Sequence, residues 1–335
     1  MGHRKHSAPR RGSLAYIPRG RVGDFFPTIH NWPKLRGGAA PTLLGLPAVK
    51  VSTIHTITMD DRAKTPNFGK PRFNPTSVLA VPDTFVAGLR LYSKENAAEK
   101  AVGEVYAKNL PKGVEKKSNT DPEKFIEAWK PKLSGLVRVS AVVVITPRDA
   151  GLSQKVPIVF EVGVGGGDIA AQFEYVTKVM GKTVKFSEVF KAGGYVDVIG
   201  VTKGHGYEGP VTRMGIKRKQ HKSRKSVRAV GVIGPWHPAA VMYTVARAGQ
   251  HGFHQRTEQG KRILSISNPK DAPITPKGGF EHFGELNADY ALVRGSVPGS
   301  TRRIVVVRYP MRPHPKANTA PVQVLEVSTR VAGRK

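Results

Sequence analysis

The feature that most constrains this chain is where its charge sits. The formal net charge is +30 at pH 7, and three segments hold most of it. Residues 1–36, 203–262 and 302–335 carry +25 within 130 of the 335 residues, while the other 205 carry only +5. Like charges at that density repel one another and resist burial. The segments that bear them therefore add little to a core, and the near-neutral remainder must build the fold. A balanced body with basic arms is the electrostatic footprint of a polyanion binder. The only acids in those arms are Asp24, Glu208, Glu258 and Glu326.

Composition then removes whole classes. At 39% hydrophobic the body can bury a core, and 335 residues suit one large domain or two ordinary ones. The absence of cysteine excludes disulfides, thiolate nucleophiles and Cys-ligated zinc. The longest purely apolar run, Ala141 to Ile145, falls far short of a membrane span. The opening Met1-Gly2-His3-Arg4-Lys5-His6 has no apolar region of the kind a signal peptide needs. The expectation is an intracellular soluble protein with no membrane association. Only nine Asn and seven Gln hint at a hot habitat.

Periodicity orders the body. Residues 1–40 form a basic N-terminal arm, too rich in Pro and Gly for any period. Residues 43–59, Thr76–Tyr92 and Leu136–Thr146 are β-branched and alternate in part, which predicts strands. In the last of these, Val137, Val139, Ala141 and Val143 share a face. Ser93–Leu110 is rich in Ala, Glu and Lys and is expected to be helical. Asp121-Pro122-Glu123 starts a second helix, which stops at Pro131. Residues 93–135 thus read as a helical insertion between barrel strands at 41–92 and 136–204. Pro157–Val164 is a strand, Ile169 to Gly181 a helix, Ser187–Ala192 a short helix and Tyr195–Thr202 a strand. Barrel strands resume over 262–327, at Arg262–Ser267, Tyr290–Val297, Ile304–Tyr309 and Val322–Val327, before a tail at 328–335. Many strands with few helices predict a mainly β fold, a β-barrel with inserted α+β elements.

Residues 205–261 fit neither period and read as a long basic excursion, ordered only on a partner. Its densest part is Lys217-Arg218-Lys219-Gln220-His221-Lys222-Ser223-Arg224-Lys225, with Arg228 close after. A solvated loop is the bland reading of such a cluster; a polyanion that orders it is the sharper one. Gly234-Pro235-Trp236-His237-Pro238 follows. Its Trp is either a core residue or a stiff aromatic tip that stacks on an unpaired base. Ala239–Ala248 is apolar and long enough for one or two helical turns. Arg247, Gln250, His251, His254 and Arg256 restore the polar character.

Other constellations carry less. His251 with His254, and His3 with His6, have the spacing of metal pairs, but no carboxylate or Cys completes either site. Neither a metal nor a cofactor is expected. Gly163–Asp168 lies between a strand and a helix, yet Asp168 stands where a dinucleotide loop needs its third glycine. A tight turn with Asp168 as helix N-cap is the simpler reading. No nucleophile elbow or catalytic carboxylate pair is evident, so no enzyme is expected.

At these residues a resemblance is clear. His3-Arg4-Lys5, Ala8-Pro9-Arg10-Arg11-Gly12-Ser13-Leu14 and Pro18-Arg19 resemble the start of the large-subunit ribosomal protein L-three family (universal uL-three), of archaeal and eukaryotic type. Val201-Thr202-Lys203-Gly204-His205-Gly206-Tyr207-Glu208-Gly209 is similar to its strand-to-loop signature. Gly234 to Ala239, Val245 to Gln250, and Gly252-Phe253-His254 with Arg256-Thr257 resemble its central finger. The resemblance implies a six-stranded translation-protein-type β-barrel with an α+β insertion and long basic N-terminal and internal-loop extensions. It implies a structural binder of large-subunit rRNA that helps nucleate early assembly. Its finger would reach toward the peptidyl-transferase centre, with Trp236 near the aminoacyl-tRNA path. Ribosomal proteins of the L-fourteen and L-twenty-four-e types would be neighbours, and no homo-oligomer is expected.

Together with the charge map, this sets the residues expected to touch rRNA. In the arm they are Arg4, Lys5, Arg10, Arg11, Arg19 and Arg21. At the start of the loop they are Lys203, His205 and Arg213. In the basic cluster they are Lys217, Arg218, Lys219, His221, Lys222, Arg224, Lys225 and Arg228. At the tip and return they are Trp236, His237, Arg247, Gln250, His251, His254 and Arg256. Two departures stand out. Many eukaryotic members carry a methylated His twelve residues before the Trp, where this chain has Arg224, with His221 the nearest histidine. Pro235 stands where those relatives commonly have Ala. Outside the ribosome, the alternatives are a DNA-compacting or other nucleic-acid-binding protein and an RNA-modifying enzyme built on the Gly163–Asp168 turn.

Overall fold

The computed structural model describes residues 9–35, 39–96, 98–115, 120–223, 225–315 and 317–328. The elements run in order β1 (Thr42–Leu43), β2 (Gly45–Met59), β3 (Pro71–Ala80), β4 (Thr84–Glu95), β5 (Ala98–Tyr106) and α1 (Pro122–Trp129). There follow β6 (Leu136–Ile145), β7 (Ile158–Gly165), α2 (Ile169–Val179), β8 (Thr183–Val184), α3 (Phe186–Val189) and β9 (Tyr195–Val201). The chain continues through β10 (Gly204–Glu208), α4 (Pro210–Met214), β11 (Gly249–Gly252) and β12 (Gln255–Ser267). It ends with β13 (Tyr290–Arg294), β14 (Ile304–Arg308) and β15 (Val324–Ser328). The fold is mainly β.

The chain divides into two compact units, one of residues up to Asp24 with Val201–Gln255, the other of Phe25–Gly200 with the chain from Arg256 onward. The expected arm of residues 1–40 is therefore shared between them. In the second unit, the body, one sheet has the order β14-β9-β12-β13-β3-β2-β15. β14 also pairs with β2, so six of these strands close into a ring. A closed ring leaves no edge among its members. A second sheet has the order β1-β7-β6-β4-β5, with β8 on β4.

Strand burial follows composition. In β6, Val139, Ala141, Val143 and Ile145 are fully buried in the main core, while Val142 and Val144 fill a second cluster with Ala87 and Tyr106. Val137, placed by the alternation on the same face as Val139, is exposed near the strand's start. The basic 302–335 segment is also less of an arm than its charge suggests. Ile304 to Val307 lie in the core, and Arg308 is buried against Asp197 and the carbonyl of Asn31.

Two helical expectations fail. Ser93–Glu95 ends β4 and Ala98–Tyr106 is β5, an antiparallel pair running from Gly88↔Tyr106 to Glu95↔Ala98 with a register shift between Leu91 and Tyr92. Arg90–Glu104 and Lys100–Glu95 join β4 and β5 at 2.8–2.9 Å, and Arg138 of β6 reaches past β4 to Glu99 at 2.9 Å. The Ala/Glu/Lys content that favours a helix equally suits a charged edge strand, and strand pairing outweighs a weak propensity. Ala239–Ala248 forms turns and bends rather than a helix. So short a segment, opened by Pro238, is marginal without a surface to pack on. The expected single strand Thr76–Tyr92 breaks at Val81-Pro82-Asp83, where Pro82 has no N–H to donate.

The glycine-rich turn after β7 is filled by this chain's own residues. A Cβ on Gly163 would lie 2.6 Å from the Trp32 ring, and one on Gly166 would lie 2.3 Å from the Ala40 carbonyl oxygen. Asp168 occupies the N-cap position of α2 without a side-chain capping bond. These glycines allow close packing of Trp32, Ala39 and Ala40, a structural use that needs no dinucleotide.

Candidate nucleic-acid interface

The unit of residues 9–24 and 201–255 has no sheet-on-sheet core. It is tied by hydrogen bonds at its base. β10 and β11 pair antiparallel from Gly204↔Gly252 to Glu208↔Gly249. No hydropathy period marks them, because most of β10 is exposed. Gly252 must be glycine: its φ is +76°, and a Cβ there would lie 2.0 Å from the Lys203 carbonyl oxygen.

Three expected contact residues are consumed in building this base. Arg213, at the end of α4, donates from Nε to the Gln250 carbonyl (2.9 Å) and from Nη1 to the Arg247 carbonyl (3.1 Å). Burial, then the nearby Arg19 charge, pulls its pKa below the ordinary arginine value. Arg19 donates to the carbonyls of Arg213 (2.9 Å) and Ser13 (3.2 Å). His254 is buried, with Nε2 accepting from the Gly252 N–H (3.1 Å) and Nδ1 2.8 Å from the Gly20 carbonyl. That pairing selects the tautomer protonated on Nδ1. The arm is further held by Val22 N–H on the Phe253 carbonyl and Arg10 Nη2 on the Thr244 carbonyl. Arg213, Arg19 and His254 thus position the loop, and both nitrogens of His254 are engaged in doing so.

The rest of the expected set is placed differently. Arg10, Arg11, Arg21, Lys203, His205, Lys217, Arg218, His221, Lys222, Lys225, Arg228, His237 and Arg247 are exposed. Lys219, Gln250, His251 and Arg256 are half-buried. Arg4, Lys5 and Arg224, and the His3–His6 pair, lie outside the described residues. His205 and His251 stack with ring centroids 5.2 Å apart, and His251 Nε2 lies 3.9 Å from Glu208. Arg228 donates to the Thr212 hydroxyl at 3.2 Å. Among the described residues of 217–228 no ion pair forms.

Trp236 is 89% exposed, which removes the core reading of this residue. Residues 231–243 are exposed throughout, including Val232 at 79% and Tyr243 at 73%. Tyr207 and Tyr243 were not among the expected contacts, yet they project from the same unit. An aromatic in a stretch without a hydropathy period is the signal that marks them. Among the described residues no helix is long and apolar enough to cross a membrane, and no group of three or more His, Asp or Glu is placed to hold a metal.

Residues 1–330 match the model of the family described as Ribosomal protein L3. The chain is 45% identical to the large ribosomal subunit protein uL3 of Caldivirga maquilingensis over 93% of its length and 92% of that protein's. It is 42% identical to the uL3 of Pyrobaculum calidifontis, covering 97% of this chain and 98% of that one. It is 39% identical to that of Methanococcus vannielii, covering 93% and 94%. Members of the family are structural and not enzymes. The match spans both the body and the basic loop unit, so the chain belongs to the ribosomal protein L3 family.

Proposed function

We propose that this protein is a structural component of the cytoplasmic large ribosomal subunit. In this reading it binds large-subunit rRNA through residues 9–24 and 201–256 and helps nucleate early assembly. The observation that carries it is the exposed run 231–243. A contiguous display of Val232, Ile233, Trp236, Met242 and Tyr243 to water marks a surface that a partner covers. The partner's chemistry follows from the neighbouring cluster, Lys217 to Arg228, whose charges find no acid among the described residues. RNA supplies both phosphates and unpaired bases, and aromatic rings stack on the latter.

The division of labour follows. Arg10, Arg11, Arg21 and the 217–228 cluster neutralise phosphates where rRNA helices crowd. Trp236, His237 and Tyr243 stack on or wedge against splayed bases. Arg213, Arg19 and His254 hold the hairpin from which the loop departs. Contacts go mainly to phosphate and shape, so base readout is modest. The loop is the finger that reaches toward the peptidyl-transferase centre. The closed ring of six strands is the translation-protein-type barrel that anchors it, with proteins of the L-fourteen and L-twenty-four-e types as neighbours.

Sedimentation of native lysate at moderate and high salt tests the reading. Co-migration with the large subunit that persists at high salt is the expected result. Recovery at the top of the gradient, or release by modest salt, sinks it.

A further inference from the structure

The inner face of the ring changes character toward one end. On β2, Ile54, Thr56 and Thr58 stand opposite Thr76, Asn74 and Arg72 of β3, and Arg294 of β13 stands opposite Thr76 from the other side. Apolar packing gives way there to a polar layer. The Thr56 and Thr76 hydroxyls lie 2.7 Å apart, and Asn74 Nδ2 donates to the Thr58 hydroxyl at 2.8 Å. All four are buried. Beyond this layer come Asp60, Arg62, Arg72 and Arg294.

The charges in this group do not balance. Asp60 is buried and accepts from Arg62 at 2.9 and 2.6 Å, which commits both its oxygens. Arg72 Nη1 lies 3.6 Å from Asp60, beyond hydrogen-bond distance, and is buried without an acceptor. Arg294 is half-buried, and its guanidinium, still open to solvent, makes no hydrogen bond or ion pair among the described residues. The adjacent acid, Asp61, is held bidentate by Arg262. Three guanidiniums therefore share one carboxylate. Burial, with Arg72 and Arg62 close by, lowers the pKa of Arg294, yet arginine keeps its charge at any physiological pH. Unpaired buried donors are rare in proteins because each costs free energy, and one that persists calls for a ligand or another explanation.

We propose that Arg72 and Arg294 form a phosphate-binding site on the body that takes an RNA phosphodiester, separate from the basic loop. Paired guanidinium forks match phosphate oxygens, and a chain of charge +30 collects polyanions. Arg62 is kept by Asp60 and shapes the site without filling it. The proposal rests on the rRNA-binding reading above.

The test uses the full chain and deproteinised large-subunit rRNA over a salt series. The Arg72→Gln/Arg294→Gln variant is expected to flatten the slope of log affinity against log salt by about 0.7–0.9, the loss of one phosphate contact. A separate full-length variant, Lys217→Gln/Arg218→Gln/Lys219→Gln, probes the loop. An unchanged slope in the arginine variant with a flattened one in the loop variant overturns the body site and leaves the rRNA reading intact. Wild-type protein that does not bind rRNA overturns both. Without RNA, the arginine variant is expected to melt at the wild-type temperature or above, since it loses uncompensated charge. A lower melting temperature marks the pair as structural supports instead. Inorganic phosphate that protects the wild type as fully as rRNA assigns the site to free phosphate. Poly-L-glutamate that does so assigns it to an acidic protein segment. Either result overturns the RNA assignment.

Discussion

Val143 and Val232 are the same residue with opposite fates. The first is fully buried in β6, the second 79% exposed in the basic loop. Two tryptophans repeat the contrast. Trp32 packs against the glycines of β2 and β7, while Trp236 is 89% exposed. The body buries its apolar side chains because its strands alternate and pair. Each Å² removed from water there is worth about 25 cal/mol. In the loop, basic residues, Gly and Pro interrupt every period, so no face accumulates. Coherence there comes from backbone carbonyls satisfied by Arg19 and Arg213. Apolar content alone therefore does not identify a core; its spacing does, together with the charge around it.

The contrast can be broken or sharpened in five ways. Leu89→Ala, in the body core, is expected to cost about 2–5 kcal/mol in denaturant unfolding. A cost under about 1 kcal/mol would mean that the body core is not what holds the protein. Asp61→Asn is expected to cost roughly 1–3 kcal/mol, because the buried Arg262 loses its carboxylate and keeps only the carbonyls of Gly193 and Ala320. The same acids set a pH dependence. Hydrogen bonds from Arg62 and Arg262 hold Asp60 and Asp61 below the ordinary carboxylate range. Their contribution is present above the unfolded pKa of about 3.9 and is lost as pH falls through the depressed values. Acid unfolding should therefore shift less in an Asp60→Asn/Asp61→Asn variant; an identical shift argues against these pairs.

Arg213→Ala is expected to cost about 1–2 kcal/mol, confined to the loop unit. Hydrogen exchange should rise at β10 and β11 while the β6 amides stay protected. Uniform loss of protection would show that the two units unfold together. Trp236→Ala is expected to change stability by less than about 0.5 kcal/mol while altering function on the ribosome. Unfolding of the free variant would restore the reading of this Trp as a core residue.

Legibility followed the same division. The strands of the body could be read because burial imposes a period of two, and α1 because Asp121-Pro122 announces a helix start. The strand β5 was hidden, since its Lys and Glu pair across strands without leaving an apolar stripe. The beginning of β12 at Gln255 was hidden for the same reason, its first residues being half-buried or exposed. Among the expected contact residues, the exposure of Trp236 and of Lys217, Arg218, His221, Lys222, Lys225 and Arg228 could be read from chemistry alone. The inward turn of Arg213, Arg19 and His254 could not, because their acceptors are carbonyls from distant parts of the chain, which no side-chain pattern reveals.

By itself the sequence determined the mainly β body and the exposed basic stretch between β10 and β11, because charge density and hydropathy period are local properties. Only the tertiary structure decided that the strands close into a ring, that residues 9–24 join the loop while residues 25–35 join the body, and that Arg72 lies 3.6 Å from a carboxylate already held by Arg62. Those outcomes depend on pairing and packing between residues tens to hundreds of positions apart. Their energies exist only once the chain has brought them together.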